Sequence, residues 1–370
     1  MLLFSHEYQL AKEIKLFLVT PSYYPHIGGL ETHVKEIAER LVKSIHVEVY
    51  TFDHNLRKRT ETEEIHGVRI RRFKTTTLTD GIRIPSSEFT RDLKAGDADI
   101  IHLQGFHSLL PYYIIRTGLM HKLIITAHYH GKGHTFLRNI LFNCYKPTLK
   151  KIARSADRII SVSKHEKSLI LKDFNVDDDR VIVIPNGVSS DIFDVVRRTY
   201  SQDFCKILSI GRLEKYKNFD ILIKAMRILD KDFKLTIIGD GPERCNLLAL
   251  IGKFSLGDRI FLRSNLNRKD LLEEYISSNL FVLLSYHEAF SIVVAEAQYL
   301  GLNVIVPNAS ALSEFVEGGY AYGVNLPLTP RKVADAIMHI SKLPGHLNKY
   351  VPRTWDNVAE EHIKLYRLLY

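Results

Sequence analysis

The chain has 370 residues, 45% of them hydrophobic and 25% charged, a mix that excludes disorder and supports two α/β cores rather than one. Three widely separated cysteines, Cys144, Cys205 and Cys245, exclude a disulfide framework and suit a reducing compartment. The formal net charge of +9 is concentrated, with 12 Lys and Arg against 2 Asp and Glu between Ile100 and Lys172. That stretch reads as a solvated helix face, or as a surface for anionic lipid head groups or a phosphorylated acceptor. No nucleic-acid-binding motif accompanies it.

In chain order, MLLFSHEYQLAKEIKLFLVTPS lacks a basic n-region, and Glu7, Lys12 and Glu13 interrupt the apolar core of a signal peptide. No apolar run approaches the ~20 residues that span a bilayer. A cytoplasmic protein is expected, with peripheral membrane contact through the basic stretch. Strands are expected at Lys15–Thr20, His46–Thr51, Val68–Phe73, Asp99–Leu103, Lys122–Thr126, Arg158–Val162 and Arg180–Ile184. Between the first two, Val34, Ile37, Ala38 and Leu41 follow helical spacing. The pattern dissolves over Ser189–Asp203, the expected linker, and restarts with KILSIG, KLTIIG, RIFLR, LFVLLS and NVIVP. Strand–helix alternation implies parallel sheets with crossover helices. The fold class is therefore α/β with two Rossmann-like domains, 1–188 and 204–352. Their ligand cleft is expected at the C-terminal ends of the strands. In the closing segment, Trp355, Val358, His362, Leu365 and Leu369 fall near one helical face.

Four segments carry candidate chemistry. In LFVLLSYHEAFSIVVAEAQYLG a buried strand ends, a short loop carries Glu288, and a helix expected from near Phe290 contains Glu296. The backbone from Ala289 to Ser291 offers N–H groups at a helix start, suited to a phosphate; the plain alternative is a β–α turn with two exposed acids. In KILSIGRLEKYKNFDILIKAM, Arg212 and Lys217 follow the first strand of the second domain. Cations at that edge are placed to hold a diphosphate, or serve solubility alone. PSYYPHIGGLETHV puts Gly28 and Gly29 before the first helix, where backbone approaches a ligand or simply turns. KLIITAHYH ends a strand with His128.

In joint order and spacing these segments resemble glycosyltransferase family 4, retaining enzymes of the GT-B fold. The resemblance runs through GGLE, TAH, RIISVS, IPNGV, GRLEKYKN, IGDGPE, the Glu288–Glu296 pair and TWDNVAEEHIKLYRLL. It implies a nucleotide diphosphate sugar donor bound mainly by the second domain. Arg212 and Lys217 would hold the diphosphate, Glu296 the ribose hydroxyls, and Glu288 the donor sugar. The N–H groups of Phe290 and Ser291 would lie near sugar and phosphate, beside Ala289. Leu266 would meet the base, Gly29 the phosphates beside Gly28, and His128 the reacting sugar. It also implies no cofactor, no metal, and a closing helix 353–370 that completes the N-terminal domain. The acceptor is a sugar, a polyprenyl-linked glycan or a lipid. Two departures stand out: Ala289 replaces the usual glycine, and a glycine is missing around Arg263–Leu266.

Other classes find weaker support in the sequence. HYHGKGH offers His128, His130 and His134 to a metal, with no Cys or acid to complete the set. IGDGPER begins like a dinucleotide fingerprint but has Arg244 at its third glycine. A non-catalytic nucleotide-sugar-binding protein and a soluble-acceptor disaccharide or polysaccharide synthase complete the alternatives.

Overall fold

The computed structural model describes residues 14–26, 28–53, 55–77, 83–118, 121–131, 136–195, 204–343, 348 and 350–370, with backbone alone at 77, 83, 136–139 and 141. Two units form. Unit 1 takes the described residues of Met1–Val162, Lys167–Ile184 and Trp355–Tyr370; unit 2 takes Ser163–Glu166 and Pro185–Thr354. Of the expected linker, Ser190–Asp194 forms a 3-10 turn, and 196–203 lie outside the described residues.

Unit 1 is built on β1 (Lys15–Val19), β2 (His46–Asp53), β3 (Thr60–Ile65), β4 (Val68–Thr77), β5 (Arg83–Pro85), β6 (Ile100–Gln104), β7 (Lys122–Thr126), β8 (Arg158–Ser161) and β9 (Val181–Val183). The spatial order is β3-β4-β2-β1-β6-β7-β8-β9, with β5 on β4. Pairing is parallel except for the antiparallel β3 and β5 on β4. Strand order reverses between β1 and β6, the switch point where α/β sheets bind ligands beyond their carboxyl ends. The central strands are buried on both faces; β1 reads as a nearly continuous apolar run, while β6 carries the buried His102 and Gln104.

β3 escapes the sequence pattern because TETEEI has low strand propensity. It is held instead by facing charges: Glu61 pairs in register with Arg72 and Glu64 with Arg69, and Arg72 forms an ion pair with Glu63. His66 and Gly67, both at positive φ, make the two-residue turn whose twist suits a hairpin.

The helix Trp355–Leu369 packs on the helix Gly29–Leu41. It buries Trp355, Val358, Ala359, His362, Leu365 and Tyr366, and Arg40 bonds Asp356 at 2.9 Å. Leu369, expected on the same face, is only half-buried in the last turn.

Unit 2 carries β10 (Cys205–Ile210), β11 (Phe233–Ile238), β12 (Ile260–Arg263), β13 (Leu280–Val282), β14 (Asn303–Pro307) and β15 (Tyr322–Val324). All are parallel, in the order β12-β11-β10-β13-β14-β15. Its switch point lies between β10 and β13, whose following loops carry Lys217 and Glu288. The glycines of IGDGPE have a packing cause. A Cβ on Gly239 would lie 2.0 Å from the carbonyl oxygen of Gly211, and one on Gly241 2.6 Å from that of Leu213. Backbone, not a dinucleotide, fills the space these glycines leave.

Candidate functional site

In unit 2 the loops after β10 and β13 are tied together. Tyr286 N–H donates to the Tyr216 carbonyl at 3.0 Å. The Asn218 amide donates to the carbonyls of Leu284 at 2.7 Å and Tyr216 at 3.2 Å. Asn218 adopts the left-handed conformation (φ 55°) that its short side chain tolerates. This arrangement brings the Lys217 ammonium onto the Glu288 carboxylate as an ion pair, 5.4 Å from the Tyr216 ring centre. Burial works against the ammonium, and the Glu288 carboxylate and Tyr216 outweigh it, so the Lys217 pKa is raised.

The two expected cations part company. The Arg212 side chain is 68% exposed, with Glu214 3.1 Å away, whereas that of Lys217 is 11% exposed. The two acids are not exposed turn residues either: Glu288 is 14% and Glu296 6% exposed. Each is shielded because it has a cationic partner.

The helix bearing Glu296 runs Ile292–Tyr299, starting two residues later than expected. Its cap, Ser291, has φ 98°; Ala289 is not among the positive-φ residues. The alanine at the usual glycine position therefore meets no backbone demand, because the left-handed turn falls at Ser291. Phe290 is buried against Phe315. The Ser291 hydroxyl is buried with no hydrogen-bond partner among the described residues. It stands at a helix start whose first amides have no carbonyl one turn back. A phosphate or sugar oxygen there would meet an orphan O–H and the positive end of the helix.

Glu296 sits in a network that the sequence does not announce. Arg268 Nη2 lies 2.8 Å from Glu296 Oε1, and the Tyr275 hydroxyl donates to Oε2 at 3.1 Å. Arg268 also grips Asp191 through two hydrogen bonds of 2.8 and 2.9 Å. Burial raises the Glu296 pKa, with Arg268 opposing. A carboxylate has roughly four lone-pair sites, so these two donors leave it able to accept from ribose hydroxyls. Leu266 is half-buried in the loop from β12 to the helix Arg268–Ile276. Next to it Asn265 takes φ 57°, an asparagine doing what the missing glycine does elsewhere.

In unit 1, Gly28 and Gly29 open the helix Gly29–Leu41. A Cβ on Gly29 would meet nothing within 4 Å, so packing does not require glycine there. His128 follows β7 at φ 45°. Its Nε2 lies 3.2 Å from Gln104 Oε1, and its ring meets His33 edge-on at 4.9 Å. Burial pushes the His128 pKa down to about 4. His130 instead stacks on His107 at 4.1 Å, and His134 lies outside the described residues. Among the described residues no group of three or more His, Cys, Asp or Glu is placed to hold a metal ion.

The structure thus gathers Lys217, Glu288, Ala289, Phe290 and Ser291 on one edge of unit 2. Arg268 and Tyr275, the partners of Glu296, and Asp191, the second partner of Arg268, are not marked by the sequence. Their one signal is that Arg268 lies two residues after Leu266.

Residues 27–192 match the family model described as Glycosyltransferase Family 4, and residues 198–354 that described as Glycosyl transferases group 1. The chain is 27% identical to an uncharacterized glycosyltransferase of Methanocaldococcus jannaschii, over 96% of this chain and 98% of that one. It is 26% identical to a GDP-mannose-dependent alpha-mannosyltransferase of Mycobacterium tuberculosis, over 88% of each. Among solved structures it resembles Anabaena HepE in complex with UDP and glucose, with a TM-score of 0.73 and 16% identity over 96% and 100% of the two chains. With motifs, both sheets and both matched segments in agreement, the chain belongs to glycosyltransferase family 4 and has the GT-B fold.

Proposed function

We propose that this chain is a retaining, metal-independent glycosyltransferase that moves a sugar from a nucleotide diphosphate sugar to a hydroxyl acceptor. The observation that carries the reading is the unit 2 edge where the half-buried Lys217–Glu288 pair accompanies the Ser291 hydroxyl, buried at a helix start with no hydrogen-bond partner among the described residues. Breaking the glycosidic bond leaves positive charge on the sugar and added negative charge on the diphosphate. Lys217, Arg212 and the amides at Phe290 and Ser291 oppose the latter; Glu288 lies beside the former, and Glu296 takes the ribose. Fixed donors aimed at developing charge are the usual main catalytic term. Unit 1 supplies His128 for the sugar. The names of the relatives support a nucleotide-sugar donor, GDP-mannose in one and UDP in another.

For the acceptor we favour a lipid-linked or membrane-associated glycan, on the charge of the 100–172 stretch. Its central helix, Phe136–Ser155, turns Phe142, Leu149, Ile152 and Ala153 into the core. It keeps Ile140, Lys151 and Arg154 exposed, while Lys146 pairs with Asp173 at 2.8 Å. Phe142 therefore cannot enter a bilayer, and attraction rests on the exposed cations. Lys132 lies outside the described residues, as do the side chains of Phe136, Leu137, Arg138 and Leu141. No helix among the described residues is long and apolar enough to cross a membrane.

The test is donor hydrolysis. UDP-, GDP- and ADP-sugars are incubated with the purified protein, with and without chelator, and the anomer first released is read by NMR. Release of the donor's own anomer, unaffected by chelator, is expected; inversion, or loss rescued by a divalent ion, overturns the reading. Sedimentation with anionic vesicles tests the membrane arm, and indifference to them at low salt points to a soluble acceptor.

A further inference from the structure

His128 stands at one end of a line of buried polar groups that runs through unit 1 to the closing helix. His102 and Gln104 are two apart on β6 and share one face of the sheet. Thr126, on β7, lies in register with Gln104. His102 Nδ1 is 2.7 Å from the Tyr366 hydroxyl. Its Nε2 is 2.8 Å from Thr126 Oγ1 and 3.2 Å from Gln104 Nε2. Gln104 Oε1 is 3.2 Å from His128 Nε2. His102, Gln104, Thr126 and Tyr366 are all buried, so water does not compete for these bonds.

With the Gln104 amide directed as it is, NH2 toward His102 and carbonyl toward His128, proton accounting along the line gives one answer. An amide NH2 only donates, so His102 Nε2 accepts and carries no proton. Neutral His102 then holds its proton on Nδ1 and donates it to Tyr366. An amide carbonyl only accepts, so His128 Nε2 carries a proton and donates it to Gln104. Neutral His128 is left with a bare lone pair on Nδ1. Turning the Gln104 amide over would reverse every proton from Tyr366 to His128. The four groups therefore share two collective states rather than many independent ones.

We propose that Gln104 and His102 are positioning residues that fix His128 as the Nε2–H tautomer, the orientation of the Gln104 amide setting the direction of the line. His128 then offers the reaction an acceptor nitrogen and not a proton. This role rests on the proposed function only in giving His128 to the sugar; the tautomer is independent of it.

The experiment is long-range proton–nitrogen NMR of the histidine rings in the whole 15N-labelled protein, with His128 assigned by its loss in His128→Asn. An unprotonated Nδ1 and a protonated Nε2 on His128 are expected, with the reverse on His102. A protonated Nδ1, or averaging between tautomers, on His128 in the parent protein overturns the proposal without any variant. Gln104→Leu removes the acceptor of the Nε2 proton and should move His128 to a mixture of tautomers. An unchanged His128 there overturns the proposal.

Gln104→Leu should lower kcat about tenfold, roughly the effect of one or two lost hydrogen bonds. Affinity for the bare nucleoside diphosphate should stay within about twofold. Gln104→Glu still accepts from His128 Nε2 and should recover part of the loss. Equal losses in turnover and nucleotide affinity would mark Gln104 as merely structural. If the parent transfers no sugar, the functional reading fails while the tautomer measurement still decides this one.

Discussion

The two units solve the same problem, holding polar groups at a sheet edge, with opposite chemistry. Unit 1 orders His128 through neutral partners, Gln104, His102 and Tyr366. Unit 2 holds Glu288 and Glu296 with full charges, Lys217 and Arg268. A neutral line can be reversed by moving protons, whereas removing one member of a buried ion pair strands the other. The first arrangement is therefore tuned by tautomer and acid, and the second by the presence of its counter-ions.

The sharpest way to break this contrast is at the ion pair. Lys217→Met leaves a buried carboxylate and should cost about 3–5 kcal/mol of stability. Glu288→Ala should cost a similar amount, because it strands the Lys217 ammonium. The double variant Lys217→Met/Glu288→Gln should recover most of the loss in urea denaturation, and additive losses would show that the pair is not coupled.

Acid should act next, and on unit 1 first. His128 titrates near 4 when folded, against an ordinary 6.5, because it is buried. Burial lowers His102 too, with the charges of His362 and His128 adding to it. Between these values the unfolded chain binds the proton and the folded one does not. The stabilisation is thus complete above 6.5 and lost as pH falls toward 4, at most on the order of 3 kcal/mol from His128. Glu296 runs the other way: with its pKa raised from 4.5, its contribution is present below that value and lost as pH rises through the folded one. Trp355, the sole tryptophan, lies 5.7 Å from His33 in unit 1 and reports that unit alone. Its fluorescence midpoint in urea should fall from pH 7 to pH 4, and fall less in His128→Asn.

A smaller effect is expected at Arg268→Ala. It releases Glu296 and Asp191 together, but the Tyr275 hydroxyl still holds Glu296 and Asp191 is half-exposed, so it should cost about 2 kcal/mol while weakening nucleosides that carry a ribose. Unchanged nucleoside affinity would separate Glu296 from the donor. The smallest belongs to Arg212→Ala. As an exposed cation beside Glu214 it should alter stability by less than about 0.5 kcal/mol. Calorimetric titration should still show nucleoside diphosphate losing more affinity than free nucleoside; equal losses remove Arg212 from the phosphate.

What could be read from the sequence follows where the signal is local. Strand–helix alternation, the carboxylates eight positions apart and the apolar face of the closing helix all lie within a few turns of chain. β3 was invisible because its stability comes from arginines across a hairpin and not from its own residues. Asp191 and Arg268 are 77 positions apart, and His102 and Tyr366 264 apart; no spacing rule joins such pairs. The burial of Lys217 also hid, because a lysine reads as a surface residue until a partner accounts for it. The packing cause of the IGDGPE glycines was hidden as well, because the carbonyls that require them belong to Gly211 and Leu213, in the loop after another strand.

The order of the chain gives the closing helix one more consequence. Unit 1 starts with β1, yet its helix Gly29–Leu41 packs on Trp355–Leu369, which follows the whole of unit 2. During vectorial synthesis at roughly 5–20 residues per second, the surface meant for Trp355, His362 and Tyr366 waits exposed while unit 2 emerges. Unit 2, continuous from Pro185 to Thr354 apart from four residues of Ser163–Glu166, can fold before the unit that precedes it is finished. A chain cut short after Thr354 should therefore show a protease-resistant second unit beside a first unit that trypsin still cuts.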